Sequence, residues 1–406
     1  MANTLKFGNG EWAIKEGSAL AYNDENSNFK PLPFDFTRAS TATYVAEDGL
    51  IKTAASGVPR IDFLDSTSGS LKLEPQRTNL VTHSSDFLDS SWNVFRGSVT
   101  ADVIISPDGT QNASRYQEDS QTGSHLFRRQ SLSITNGLSY TGSIFIKKGE
   151  LTEITLQSNS SSRWVASAIF DVENGVVTSG TGVIEDYGNG WYRCSISGNA
   201  VQTTTVAGLE MYTSVGTGRD GDGLYMYGAM FEQGSYATSI IKTSGATATR
   251  VADDCSQTPP DGIIGQTEGV LYAEIKANET SNSSSRRVIS LSDLTNTNRV
   301  YISFDDEYNQ LNIFIIVGGT TVTVSNVNIS NQNNYNKVAV RYKSGDSAIY
   351  VNGVLKNSFN DTFSSGVFNA LKFKNRGAGE IFYGNVKDVR VYNEALTDQE
   401  LATLTT

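Results

Sequence analysis

Residues 224–250, LYMYGAMFEQGSYATSIIKTSGATATR, decide the fold. Successive side chains of a strand point to opposite faces. Leu224, Met226 and Met230 therefore fall on one face, and Tyr225, Tyr227 and Phe231 on the other. Both faces are apolar, so both must be covered by protein, which predicts the central strand of a β-sandwich. Glu232, Gly234 and the Ser/Thr-rich run to Arg250 end the apolar pattern, and the chain is expected to leave the layer there. The alternation assigns the rings of this stretch to packing and not to a ligand surface.

Upstream, SLSITNGLSYTGSIFIKKG predicts two strands around an Asn136-Gly137 turn. WVASAIFDVENGVVTSG repeats the device at Glu173-Asn174-Gly175. With YGNGWYRCSISG and TVAGLEMYTS these give seven or more strands over residues 79–251, a jelly-roll pattern. Residues 1–78 hold only short strand candidates, such as PFDFTRAS and GSLKLEP, between turn signals. Residues 252–264, with Pro259-Pro260, read as an extended linker. Residues 265–406 form a second β-rich module containing EGVLYAEIKA, AIYVNGVLKNSF and GNVKDVRVYN. It ends in NEALTDQELATL, where Thr397 and Glu400 make a capping box for a short terminal helix.

Composition agrees with an all-β class, since the chain has 37 glycines and 18 each of Tyr and Phe among its 406 residues. Windows rich in strong helix formers are scarce. Lys plus Arg number 32 against 43 Asp plus Glu, a net charge of −11, which disfavours nucleic acid and anionic membrane surfaces as partners. Cys194 and Cys255 suit no disulfide framework and are expected as free thiols. The N-terminal residues MANTLKFGNGEW show no secretory pattern, and no apolar run reaches bilayer length. The expectation is a soluble protein made in a cytoplasm, with release by lysis as its route outward and no membrane insertion.

Two resemblances follow from these segments. AIYVNGVLKNSF and YGNVKDVRVYNEALTDQELATL resemble the concanavalin A-like, laminin-G-type jelly roll of lectins and adhesins. GWYRCSIS and LYMYGAMFEQGSYATSIIKTSGATATRVAD are similar to a carbohydrate-binding-module-like jelly roll in bacteriophage virion proteins, head-fibre and tail-fibre components. FDFTRASTATYVAEDGLIK, PRIDF and LKLEPQRTNLVTHSSDF look like the N-terminal part of the same proteins. The resemblances imply two jelly-roll type β-sandwich domains in series after a β-hairpin-rich attachment region at residues 1–78, with a C-terminal capping helix. They also imply a virion location, other virion proteins as partners, homotrimers, and adhesion to surface glycans. A purely structural capsid decoration protein and a tail-associated polysaccharide depolymerase are the alternatives.

Catalytic raw material is thin. His83 and His125 stand in unlike contexts, and no nucleophile-elbow, zinc-protease or phosphate-loop motif is present. Glu232 is the best placed single acid but lacks a partner of persuasive spacing for glycosidase chemistry, and reads as a sheet-end residue bonded to backbone. Sugar recognition would use an aromatic face beside polar groups. Trp164 in SSSRWVAS is a candidate, as is Tyr187 in a loop with Asp186 and Asn189. For both rings a structural role is the competing reading. Calcium needs several oxygen ligands, and the candidates are Asp220 with Asp222, and Asp305 with Asp306, neither set being complete. No other cofactor is expected.

Overall fold

The computed structural model describes residues 5–15, 17–23, 30–259, 261–278, 287–305, 307–375 and 380–406. The expected all-β architecture stands, with strands throughout and one helix, Asp398–Thr405, among the described residues. The chain divides into two compact units: residues 1–41, 54–75 and 252–406 form the first, and residues 42–53 and 76–251 the second.

The second unit is a sandwich of two six-stranded antiparallel sheets. One runs Trp92–Phe95, Thr122–Ile134, Thr204–Thr217, Glu153–Ser158, Ser167–Asp171, Val176–Gly180. The other runs Gly97–Ile105, Gln111–Glu118, Gly223–Gln233, Ser139–Lys148, Trp191–Asn199, Gly182–Asp186. Gly223–Gln233 is central, as its sequence predicts, and buried on both faces.

Its alternation, however, changes phase. Ser143 pairs with Met230 and Phe145 with Tyr227, so Gly228 and Ala229 together face Ile144 in a bulge. Gly228 holds φ at 56°, a left-handed conformation that favours glycine. Leu224 and Met226 before the bulge, and Ala229 and Phe231 after it, therefore share the inner core with Trp164, Phe170 and Leu209. Tyr227 and Met230 turn to the outer face, so Met230 and Phe231 lie on the faces opposite to those the simple period assigns.

Past Gln233 the chain folds back over the outer face. Thr238 donates its N–H and hydroxyl to the buried Glu232 carboxylate at 2.8 and 2.6 Å. Ile240 packs on Gly228. Ala248–Arg250 then pairs with Arg77–Asn79.

In the first unit, one layer runs Val354–Phe359, Ser347–Val351, Asn336–Lys343, Glu268–Lys276, Gly384–Tyr392. Leu5–Gly8 and Ser70–Leu73 both pair along the far side of Gly384–Tyr392. The other layer runs Thr320–Asn328, Gln310–Val317, Arg299–Phe304, Arg287–Ser292, Ala370–Lys372, Asp254–Gln257, Lys30–Thr37, Ser18–Asn23. The layers join where Lys6 pairs with Tyr22. Leu271, Ala273, Ile275, Val338, Val340, Val389 and Val391 point into the shared core.

The linear division expected from sequence gives way here. Strands within residues 1–78 complete the sandwich of residues 252–406, and Asp254–Gln257, inside the expected linker, is a strand of it. Pro260 of that linker lies outside the described residues. A buried ionic cluster ties the segments. Asp253 accepts from Arg38 Nη1 at 3.1 Å, Arg60 Nη2 at 2.6 Å and the Glu74 N–H at 2.8 Å. Arg60 also reaches Glu74 at 2.6 Å, and Asp253 N donates to Glu74 O at 3.0 Å. Two cations and two anions balance, as burial requires.

Candidate functional site

The groove in the first unit begins with the outer face of two neighbouring strands. In Glu268–Lys276 the inward residues are aliphatic, while Tyr272 and Glu274 face out. In Gly384–Tyr392 the outward residues are Asp388, Arg390 and Tyr392. Antiparallel register sets Tyr272 opposite Arg390 and Glu274 opposite Asp388, with Lys337 on the far flank of Glu274. A bulge at Lys387 lets both Val386 and Val389 face the core and starts the Asp388–Tyr392 alternation in the right phase.

The C-terminal helix supplies the other wall. Thr397 accepts from Glu400 N, and the Glu400 carboxylate accepts from Thr397 N at 2.8 Å, the capping box foreseen in the sequence. Leu396 and Leu401 bury against Val270, Tyr272 and Tyr392. Between helix and sheet remains a groove of about 440 Å³, with Asn9, Glu400, Thr403 and Leu404 along its rim.

Its electrostatics centre on Asp388, which is 1% exposed. Arg390 donates Nε to Oδ2 at 2.9 Å, and its Nη2 forms an ion pair with the same oxygen at 2.7 Å. Oδ1 has no hydrogen-bond donor. Burial pushes the Asp388 carboxyl up, and the Arg390 bonds only partly counter it. Glu274 is held by Lys387 Nζ at 3.1 Å. The Arg390 guanidinium lies 5.6 Å from the Tyr272 ring centre, and burial raises the Tyr272 hydroxyl, with Asp388 and Glu274 adding to the effect. The result is a polar wall backed by a buried carboxylate oxygen that lacks a donor.

The residues singled out from sequence lie elsewhere. Trp164 is fully buried, with Nε1 donating to Gly208 O at 3.1 Å and its ring edge-on to Phe231 at 5.2 Å. Its Ser-rich approach is a surface turn, but the indole fills the core, so it offers no face to a sugar. Tyr187 is likewise buried, edge-on to Phe145 at 4.8 Å. Asp186 and Asn189 share its exposed turn. Asp186 accepts from Gly188 N at 2.7 Å, and the Asn189 carbonyl accepts from Lys147 at 2.6 Å, so the loop closes on itself without an aromatic platform.

Asp220 and Asp222 occupy one turn, and the Asp222 carbonyl accepts from Glu118 N at 2.9 Å. Asp305 is buried and accepts from Asn312 at 3.1 Å. Asp306 lies outside the described residues. Among the described residues no three His, Cys, Asp or Glu side chains gather as a metal site would need, so Asp220 and Asp222 gain no third such ligand there. Cys194 and Cys255 are free and buried. No described helix is long and apolar enough to cross a membrane.

Tyr272, Glu274, Asp388 and Arg390 were not singled out by sequence reasoning. Their signal is charge at outward positions of two strands that are otherwise aliphatic, YAE and DVR, and it gains meaning only once the strands are known to be neighbours.

Residues 255–402 match the family model described as the Concanavalin A-like lectin/glucanases superfamily, which supports the expected sandwich type and begins inside the expected linker. No curated protein matches the chain. Among solved structures, the Ruminococcus gnavus IT-sialidase CBM40 bound to alpha2,3 sialyllactose is 17% identical, covering 35% of this chain and 84% of its own, at a TM-score of 0.30. Domain 4 of AbnA, an extracellular arabinanase from Geobacillus stearothermophilus in complex with arabinotriose, is 17% identical over 42% of this chain and 80% of its own, at 0.29. Mouse laminin alpha1 chain domains LG4-5 are 10% identical over 68% of this chain and 90% of their own, at 0.25.

Proposed function

We propose that this protein is a non-enzymatic glycan-binding protein whose ligand lies in the groove between the C-terminal helix and the Tyr272–Arg390 face. The observation that carries the proposal is the polar groove lined by Tyr272, Glu274, Lys337 and Arg390 within a lectin-like sandwich. Fold alone does not fix function, so the groove and not the sandwich bears the weight.

The setting we propose is a virion appendage, made in the host cytoplasm and displayed on the released particle. Contacts to other virion proteins and assembly as a trimer go with it. This rests on the resemblance of residues 34–252 to phage fibre proteins. Repeated copies would turn modest single-site affinity into useful avidity. A depolymerase is the second reading, favoured by the Glu274–Asp388 pair, since retaining glycosidases hold two carboxyls about 5–5.5 Å apart. Against it, Asp388 is almost wholly buried and Glu274 is held by Lys387, so neither carboxyl stands free in the groove.

Polysaccharide retardation of the purified chain in native gels, with a reducing-end assay on the same mixtures, tests all three readings. Retardation without new reducing ends supports the adhesin. New reducing ends lost in Glu274→Gln support the enzyme. Neither effect leaves the structural decoration protein.

A further inference from the structure

We infer that the second unit carries its own groove for an acidic saccharide, with the Arg77 guanidinium gripping the sugar carboxylate. The site is additional to the glycan groove above and shares no residue with it. It spans about 410 Å³, a size usual for small-ligand clefts, between Gln76, Arg77, Thr78, Ser133 and Gln233, over the nearly buried Tyr140. Its walls are fixed by backbone. Leu80 N donates to Phe231 O at 2.8 Å, Gly234 N donates to Ser139 O at 2.9 Å, and Tyr140 lies opposite Gln233 in register. Tyr140 stacks on Phe231 at 5.6 Å, and its hydroxyl accepts from Thr135 N at 2.9 Å.

Arg77 alone is charged among the described residues that line this groove, and its side chain is 18% exposed. Nη1 donates to Gln76 O at 3.1 Å at the exposed surface, and Nη2 meets no acceptor among the described residues. The counter-charge is Glu232, which does not line the groove and is fully buried. Its Oε2 lies 3.5 Å from Arg77 Nε without a hydrogen bond. The Glu232 carboxylate already accepts from the Thr238 N–H and hydroxyl at 2.8 and 2.6 Å, and it sits in the field of Arg250 as well. One buried carboxylate thus answers two arginines, and the outer edge of Arg77 keeps its charge. Gly234 makes the posture possible, since a Cβ there would stand 2.7 Å from both Nε and Nη2, while the Tyr236 ring centre lies 5.6 Å from Cζ. A carboxylate placed against that edge takes one hydrogen from each Nη, the paired geometry that arginine suits. The exposed Gln76, Gln233 and Ser133 side chains hydrogen-bond no described residue, and between them offer donors and acceptors to ring hydroxyls. A small inorganic anion would leave those amides idle, and a neutral sugar would leave the guanidinium unanswered. An acid carried on a polyol uses both.

The test is native affinity electrophoresis of the full chain in gels containing polygalacturonate, its fully methyl-esterified form, dextran sulfate or galactomannan, with circular dichroism and melting checks on every variant. We expect polygalacturonate to retard the chain and Arg77→Gln to weaken that binding roughly tenfold to a hundredfold, the loss of charged hydrogen bonds. Arg77→Lys, which keeps the charge and loses the fork, should fall between. Any retardation by the methyl ester should be the same in Arg77→Gln as in the parent. Should Arg77→Gln fail to fold, Gln233→Ala, at an exposed position, carries the test with a loss of roughly twofold to tenfold. Polygalacturonate binding unchanged in the folded variants overturns the inference. So does binding lost in Lys337→Gln and kept in Arg77→Gln, which moves the acidic ligand to the groove of the first unit. Dextran sulfate bound as tightly as polygalacturonate, with the same loss in Arg77→Gln, overturns the sugar carboxylate and leaves a general anion site. Retardation by galactomannan without polygalacturonate overturns this inference and leaves the glycan reading, whereas retardation by no polymer overturns both.

Discussion

Gly228→Ala should destabilise the second unit by about 2–4 kcal/mol, and the structure apportions that loss. An L-residue at φ 56° costs roughly 1–2 kcal/mol. The added Cβ would stand 2.4 Å from Ile240 Cδ1 and 3.1 Å from Phe145 Cδ2, an overpacking worth about 1–3 kcal/mol. The stiffer unfolded chain offsets about 0.4–1 kcal/mol. Urea unfolding followed by tryptophan fluorescence suits the measurement, because Trp92, Trp164 and Trp191 all lie in this unit. With a slope of about 1–3 kcal/mol per molar urea, the midpoint should fall by about 1–2 M. Ile240→Val supplies the internal control. Valine lacks the clashing Cδ1, so Gly228→Ala made in that background should cost only about 1 kcal/mol, and the difference is the steric coupling. A loss below about 0.5 kcal/mol in the parent, or an equal loss in both backgrounds, would refute the bulge as the device that rephases this strand.

Trp164→Ala should cost about 3–5 kcal/mol and lower the melting temperature, because the indole is core and not a sugar platform; an unchanged melt would return it to the surface. Asp253→Ala leaves Arg38 and Arg60 short of a buried counter-charge and should cost about 3–5 kcal/mol in the first unit, read by hydrogen exchange along Lys30–Thr37 and Asp254–Gln257. Burial pushes the Asp108 carboxyl up, but bonds from Lys242, Thr110, Tyr227 and Ser106 outweigh it and hold it well below the ordinary range. A depressed carboxyl contributes stability above its unfolded value, near pH 4, and loses it as pH falls through the folded one. The stability gap between parent and Asp108→Asn should therefore be flat above about pH 5 and close progressively below pH 4; a gap that widens on acidification would contradict the bonding pattern.

The legible parts of the fold were those written in local pattern. Asn174-Gly175 and Asn352-Gly353 close hairpins between paired strands, as their dipeptides announce. Thr397 and Glu400 cap the helix. Val389 and Val391 face the core while Arg390 and Tyr392 face out. The Asn136-Gly137 turn is real, yet the strands it joins belong to different sheets, because a turn dipeptide fixes local backbone and not the partner. The phase change at Gly228 was hidden because a bulge needs only a glycine, and glycines are common here. The pairing of Leu5–Gly8 with Gly384–Tyr392 joins opposite ends of the chain and leaves no local trace. The groove was missed for the same reason, and the loop aromatics at Trp164 and Tyr187 attracted notice because exposure cannot be read from polar neighbours alone.

The paired ends of residues 76–251 have an architectural consequence. Arg77 lies opposite Arg250 at the root of one unit, and Glu74 and Asp253 exchange hydrogen bonds in the other. Departure and return thus occur at one doorway, however long the excursion between them. Closing a loop there costs little more for many residues than for few. The recipient sandwich therefore has a socket, and its own strands need not be redrawn when the cargo changes. A short Gly/Ser bridge from Pro75 to Ala252 could occupy the same doorway, provided that residues 42–53, which belong to the departing unit, are bridged as well.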